Sequence, residues 1–227
     1  MLLAYTLKGM AGFGSGLLTV PVLALFLPLT TIVPMLGLIS YSGTVIQSVQ
    51  LRKKVRWKDC LIVLPFSALG VVLALWIFKN IELIWLNKAL AIFVIIYALM
   101  MILPQRPVEW HRNWGVPSGF FAGLVGALFG TGGPFYVIYL KLRQLNKNSF
   151  RATIAMIFLF DGAIRIVGYG FSGFYTADVL MLALISLPLL FLGLFMGHRI
   201  HLSISNQLFT RVISVLLLCS GLILLFK

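Results

Sequence analysis

Two stretches of the chain read alike: GMAGFGSGLLTVP, Gly9 to Pro21, and GALFGTGGPFYVI, Gly126 to Ile138. In each, an apolar run meets Phe-Gly-(Ser/Thr)-Gly and then turns apolar again, so a hydrophobic segment is broken by glycines near its middle. Glycine lets the backbone leave a helix without a side-chain clash. Inside a bilayer the freed N–H and C=O groups meet no water, so such a break persists only where protein buries it or where it lines a cavity. Gly/Pro-interrupted segments at matching places in two halves point to the binding site of a transporter. The alternative is that the glycines serve close helix packing. Packing asks for one glycine per turn rather than a cluster, and these are clusters.

The surrounding composition sets the solvent. Of 227 residues, 61% are hydrophobic and 10% charged, against roughly 45–50% and 25% for a soluble domain. An all-α polytopic membrane protein in the plasma or inner membrane follows. The net charge of +13 would suggest nucleic acid in a soluble chain. Here the basic residues sit in short loops between apolar runs and read as topology signals, so no nucleic-acid partner is expected. Cys60 and Cys219 both fall in apolar spans and supply no disulfide framework or metal cluster. His198 and His201 are too few for a metal site. The opening MLLAYTLKGM lacks a small-residue cleavage site after a basic region and is not read as a signal peptide.

Six uninterrupted stretches are long enough to span, at about 20 residues each: 32–51, 59–78, 83–103, 152–172, 179–197 and 206–226. The two broken segments, 2–27 and 115–140, either cross or turn back as hairpins. If both cross, eight loop cations fall on each side and orientation is unspecified. If both turn back, Arg52, Lys53, Lys54, Arg56, Lys58, Arg106, Arg112, Lys141, Arg143, Lys147, Arg151, Arg199 and Arg211 share one side, thirteen against Lys79, Lys88 and Lys227. That is a strong positive-inside bias, so re-entrant hairpins are expected, with the thirteen-charge side cytoplasmic.

Each half then holds one hairpin and three crossings, an odd number, which inverts one half relative to the other. Residues 1–103 form the first repeat, 104–113 a linker rich in proline and polar residues, and 114–227 the second repeat. Pro65 to Gly70 matches Pro188 to Gly193 at a spacing of 123, against 116 for the glycine phrase, as duplication followed by insertion would leave it.

A half-helix that begins at a break presents unpaired N–H groups and the positive end of its dipole, which favour an anion. Gly14, Ser15 and Gly16 open one such end; Thr131, Gly132 and Gly133 open the other, with Pro134 suited to the first turn. Lys8 lies one turn before the first break and either joins the site or reaches an interface. Asp161 and Arg165 stand at i and i+4 in an otherwise apolar span, on one face and within pairing distance. They read as a neutralised structural pair, or as an anion-facing arginine held by a carboxylate that titrates and couples protons. Ser42, which aligns with Asp161 at a spacing of 119, and Gln47 are weaker path-lining candidates. Such residues more often bond across helices. Tyr169, Tyr175 and the five tryptophans fall near span ends and read as interfacial aromatics.

At GFGSGLLTVP, at GALFGTGGP with the basic loop Lys141 to Arg151 after it, and at Arg151-Ala152-Thr153, the sequence resembles the TauE/SafE family of sulfite and organosulfonate exporters. The resemblance covers nearly the whole chain. It implies a secondary transporter whose small anionic substrate is sulfite, a small sulfonate or a carboxylate, moved outward by alternating access of the two halves. A passive anion channel is the competing reading. No His/Cys/Asp/Glu cluster, Ser/His/Asp set or phosphate-binding Gly-Lys-Ser/Thr motif occurs, so neither an enzyme nor a bound cofactor is expected. The sequence leaves open whether the chain works alone or as a homo-oligomer.

Overall fold

The computed structural model describes residues 15–51, 54–102, 114–200 and 206–226. Among them run nine helices and no strand: α1 (Ser15–Ala24), α2 (Leu29–Leu51), α3 (Trp57–Asn80), α4 (Leu83–Ile102), α5 (Gly115–Phe129), α6 (Gly133–Leu142), α7 (Lys147–Phe171), α8 (Ala177–Ile200) and α9 (Asn206–Leu225). Within them Trp57–Asn80, Leu83–Met100 and Lys147–Phe171 are long and apolar enough to cross a membrane, and shorter apolar helices cover Leu29–Val45, Gly115–Phe129, Ala177–Pro188 and Ser214–Leu225. The protein is an all-α, multi-pass membrane protein.

Local chemistry explains where several helices start and stop. Asp59 sits in the first turn of α3 and Lys79 in its last, each facing the dipole end of opposite sign. At the start of α7 the Asn146 side chain accepts from the Ser149 amide at 2.8 Å. Helix α5 stops at Gly130, whose φ of 67° is the left-handed cap that favours glycine. Pro134 then lies in the first turn of α6, where its missing N–H costs nothing.

The second glycine segment doubles back. Ser118 Oγ donates to the Phe135 carbonyl at 2.8 Å across the hairpin. A Cβ on Gly115 would lie 3.0 Å from the Tyr139 ring and 2.8 Å from Ile62, so α5 begins and α6 ends beside the start of α3. Helix α5 then runs alongside α3 in the same direction. Cβ atoms on Gly119 and Gly123 would meet the Val63 and Ser67 carbonyls at 2.4 and 2.1 Å, and one on Gly70 would meet the Phe120 carbonyl at 2.2 Å. One glycine per turn brings these backbones together, the usual solution where lipid removes the hydrophobic drive for association.

Helices α3 and α7 are tied at three levels. The Arg56 amide donates to Thr153 Oγ1 at 3.0 Å near their starts. Ser67 reaches Asp161 midway, with a 2.5 Å hydrogen bond. Phe78 meets Phe174, just past α7, edge to face at 5.6 Å. Helix α2 runs the other way along α7, with Tyr41 against Gly162 and Gly37 against Tyr169. Helices α4 and α9 pair, and Phe93 of α4 stacks on Phe129 and Phe135, the residues flanking the break, at 6.0 and 6.4 Å.

At Gly43 of α2, among the described residues, no heavy atom would lie within 4 Å of a Cβ. Gly43→Ala should therefore be tolerated, gaining up to about 1 kcal/mol of helix propensity. The melting temperature of purified protein checks this, and a fall of several degrees would contradict it.

Candidate functional site

The start of α1 meets the second break. A Cβ on Gly16 would lie 2.2 Å from the Gly130 carbonyl oxygen and 3.6 Å from Thr131 Cγ2, so the start of α1 rests on the turn between α5 and α6. From that point α1 leads toward the start of α2, at the Phe171 end of α7, while α6 returns toward Asp59 at the other end. Two helix N-termini thus converge and diverge in opposite senses. Gly14 and Lys8 lie outside the described residues, as do the side chains of Ser15 and Gln47.

Helix α7 supplies the charge. Asp161, Arg165 and Tyr169 follow at four-residue spacing and share one face. Arg165 Nη2 pairs with Asp161 Oδ2, and its Nη1 donates to the Gly126 carbonyl at 2.9 Å. Tyr169 donates its hydroxyl to the Ala127 carbonyl at 2.6 Å. The Gly126 carbonyl also accepts from the capping Gly130 amide at 2.9 Å, whereas the Ala127 carbonyl lies in the last turn of α5 with no further turn to follow it. The guanidinium also sits at the negative end of that helix, where a cation is favoured. In lipid an unsatisfied carbonyl costs several kcal/mol, so the polar stripe of α7 makes the break tenable.

Asp161 is fully buried and completely engaged. Its Oδ1 accepts from Ser67 Oγ of α3 at 2.5 Å, and the Tyr136 hydroxyl of α6 stands 2.9 Å from the same oxygen and 2.8 Å from Ser67 Oγ. Ser67 and Tyr136 are the partners missed from sequence alone. Tyr169 is corrected here: it is 2% exposed and hydrogen-bonded, not interfacial, because α2 and α5 cover that face of α7. Trp57, Trp76, Trp85 and Trp114 are exposed near helix ends; Trp110 lies outside the described residues. Ser42 Oγ donates to the Ile39 carbonyl of its own helix at 2.8 Å.

Donors remain at the break. Thr131 Oγ1 and Arg165 Nε are buried without a hydrogen-bond partner among the described residues. A Cβ on Gly126 would lie 3.2 Å from Arg165 Nη1 and 3.4 Å from the nitrogen of Gly132, the N-cap of α6, which puts the guanidinium and that cap around one point. A positive side chain, a helix N-terminus and a hydroxyl form an arrangement suited to an oxyanion. Among the described residues no carboxylate stands at the break apart from Asp161, which Arg165 already neutralises. Tyr175, in the turn after α7, has its phenol pushed up to about 12 by burial, with Arg165 pulling the other way, so it stays neutral. Among the described residues no group of three His, Cys, Asp or Glu could hold a metal.

A profile of the sulfite exporter TauE/SafE family matches residues 1–224. Over 175 residues, 75% of this chain and 72% of the relative, the sequence is 28% identical to a protein of Comamonas testosteroni described as "Probable inner membrane transporter protein TsaS". No solved structure matches.

Proposed function

This chain belongs to the TauE/SafE family, a family of membrane transporters rather than enzymes, and from that we propose that it carries a small sulfur oxyanion, sulfite or a small sulfonate, outward across the inner membrane. The observation that supports this best is that Arg165 and the Gly132 nitrogen both flank Gly126, while Thr131, the residue before Gly132, carries an unpartnered hydroxyl among the described residues and sits beside the start of α1. The anion is held at the N-termini of α1 and α6, by Gly14, Ser15 and Gly16 from the first half and Thr131, Gly132 and Gly133 from the second, with Arg165 as the countercharge and Lys8 as a further cation. Asp161 competes with the anion for Arg165. Protonating Asp161 frees the guanidinium for substrate, and losing the proton recaptures it, which couples flux to the proton gradient.

The halves work as inverted repeats that expose the site to each side in turn. In support, matching α2 with α7 and α3 with α8 exchanges the α3–α7 contact with the α2–α8 contact. Reconstituted protein should take up sulfite and sulfoacetate faster than lactate, with saturation, and an imposed pH gradient should accelerate the flux. Flux linear in concentration and indifferent to the gradient would assign a passive channel instead.

A further inference from the structure

A second charged cluster closes the end of the molecule where α3 begins and α6 ends. Asp59 is fully buried there. Tyr139 donates its hydroxyl to Asp59 Oδ1 at 3.0 Å, Arg143 donates Nε to the same oxygen at 3.3 Å, and Arg56 Nε stands 3.8 Å from Oδ2. The carboxylate is hidden but the cations are not: the Arg56 and Arg143 side chains are 49% and 20% exposed. A guanidinium offers five donors in a fork that fits an oxyanion. Here Arg143 engages Asp59 through Nε, and Arg56 stays beyond hydrogen-bond distance. Lys54, Lys58, Lys141, Lys147 and Arg151 lie exposed in and beside the same loops, so among the described residues seven cations accompany one carboxylate.

We infer that this cluster is a second anion site, at the basic mouth of the protein, and that Asp59 occupies it here as a tethered stand-in for the substrate anion. The inference rests on the anion-transporter reading given above. An entering oxyanion takes the Arg143 fork and the Tyr139 hydroxyl, and Asp59 is displaced. Tyr139 and Arg143 belong to the last turn of α6 and its cap, and Tyr136 of the same helix holds the Asp161 pair about one turn away. Displacing Asp59 therefore unties the outer end of α6 from α3. Asp59 and Ser67 are eight residues apart on α3, so the two anion positions lie about 12 Å apart along that helix. An anion drawn in by the loops meets one arginine before the next.

The test is the sulfite-dependent rise in melting temperature of purified protein at constant ionic strength, since a ligand that binds the folded state stabilises it. Asp59→Asn removes the stand-in and should lower the half-saturating sulfite concentration about tenfold, the scale of one charge-assisted contact. Adding Arg143→Gln should abolish that gain. Both effects should persist with Asp161→Asn and Arg165→Gln also present, which silences the site at the breaks. An unchanged half-saturation in Asp59→Asn, or a gain that survives Arg143→Gln, overturns the second site. So does loss of every sulfite response when the Asp161 and Arg165 changes are made, an outcome that leaves the reading of the breaks intact. A response that ignores those two changes but needs Arg143 keeps the second site and removes the one at the breaks. If Asp59→Asn is recovered poorly, Arg143→Lys, which keeps the charge but not the fork, should raise half-saturation at least about threefold; no change overturns the inference.

Discussion

Sulfite uptake by Arg165→Gln is expected to fall by at least about 100-fold, because two charge-assisted hydrogen bonds worth about 1.5–3 kcal/mol each disappear from the site. The same change should also cost stability, since it leaves Asp161 buried without its countercharge, a loss of about 3–5 kcal/mol. Reduced uptake alone would therefore not separate transport from folding. The double change Asp161→Asn with Arg165→Gln removes the pair as a unit, while Ser67 and Tyr136 can still bond the neutral amide that replaces the carboxylate. Melting temperature should recover most of the loss in the double variant, and uptake should not recover. Robust uptake by the double variant would make the pair a structural tie and remove Arg165 from the anion site.

Gly16→Val is the second large effect. A Cβ there would sit 2.2 Å from the Gly130 carbonyl, a backbone atom fixed by the left-handed turn at φ 67°. No side chain can swing aside to make room, so α1 must part from the α5–α6 turn. Overpacking of this kind costs about 1–3 kcal/mol or more, and the valine branch adds to it. The expected result is a marked fall in melting temperature and loss of uptake, against the unaffected Gly43→Ala. Wild-type uptake by Gly16→Val would mean that the start of α1 does not need to touch the second break.

Those two residues also mark how far the sequence could be read. The cluster at Gly130 to Gly133 announces a break because several glycines with a proline cannot continue a helix. Asp161 and Arg165 announce themselves because a charge in an apolar span needs a partner, and four-residue spacing provides one. Their surroundings were not legible in the same way. Ser67 and Tyr136 lie 94 and 25 residues from Asp161, and a hydroxyl in an apolar run looks the same whether it meets a carboxylate or its own backbone. Tyr169 did carry a signal, as the next four-residue step after Arg165, yet its place near a span end suggested an interface. The Gly115, Gly119 and Gly123 series likewise shows the one-per-turn rhythm of close packing, but nothing in that rhythm names α3 as the partner. Asp59 and Arg143, 84 residues apart, gave no hint of each other until the fold brought them together.

Because α3 and α7 are fastened near both ends and at mid-height, they behave as one stiff plank. Helix α6 is ten residues long and lies against that plank through Val137 and Leu140, packed with Val63 and Ile157, as well as through its hydroxyl tips. Swinging so short a rod re-seats a small apolar patch together with a handful of polar handholds. Such a stroke belongs among the helix shifts of microseconds to milliseconds.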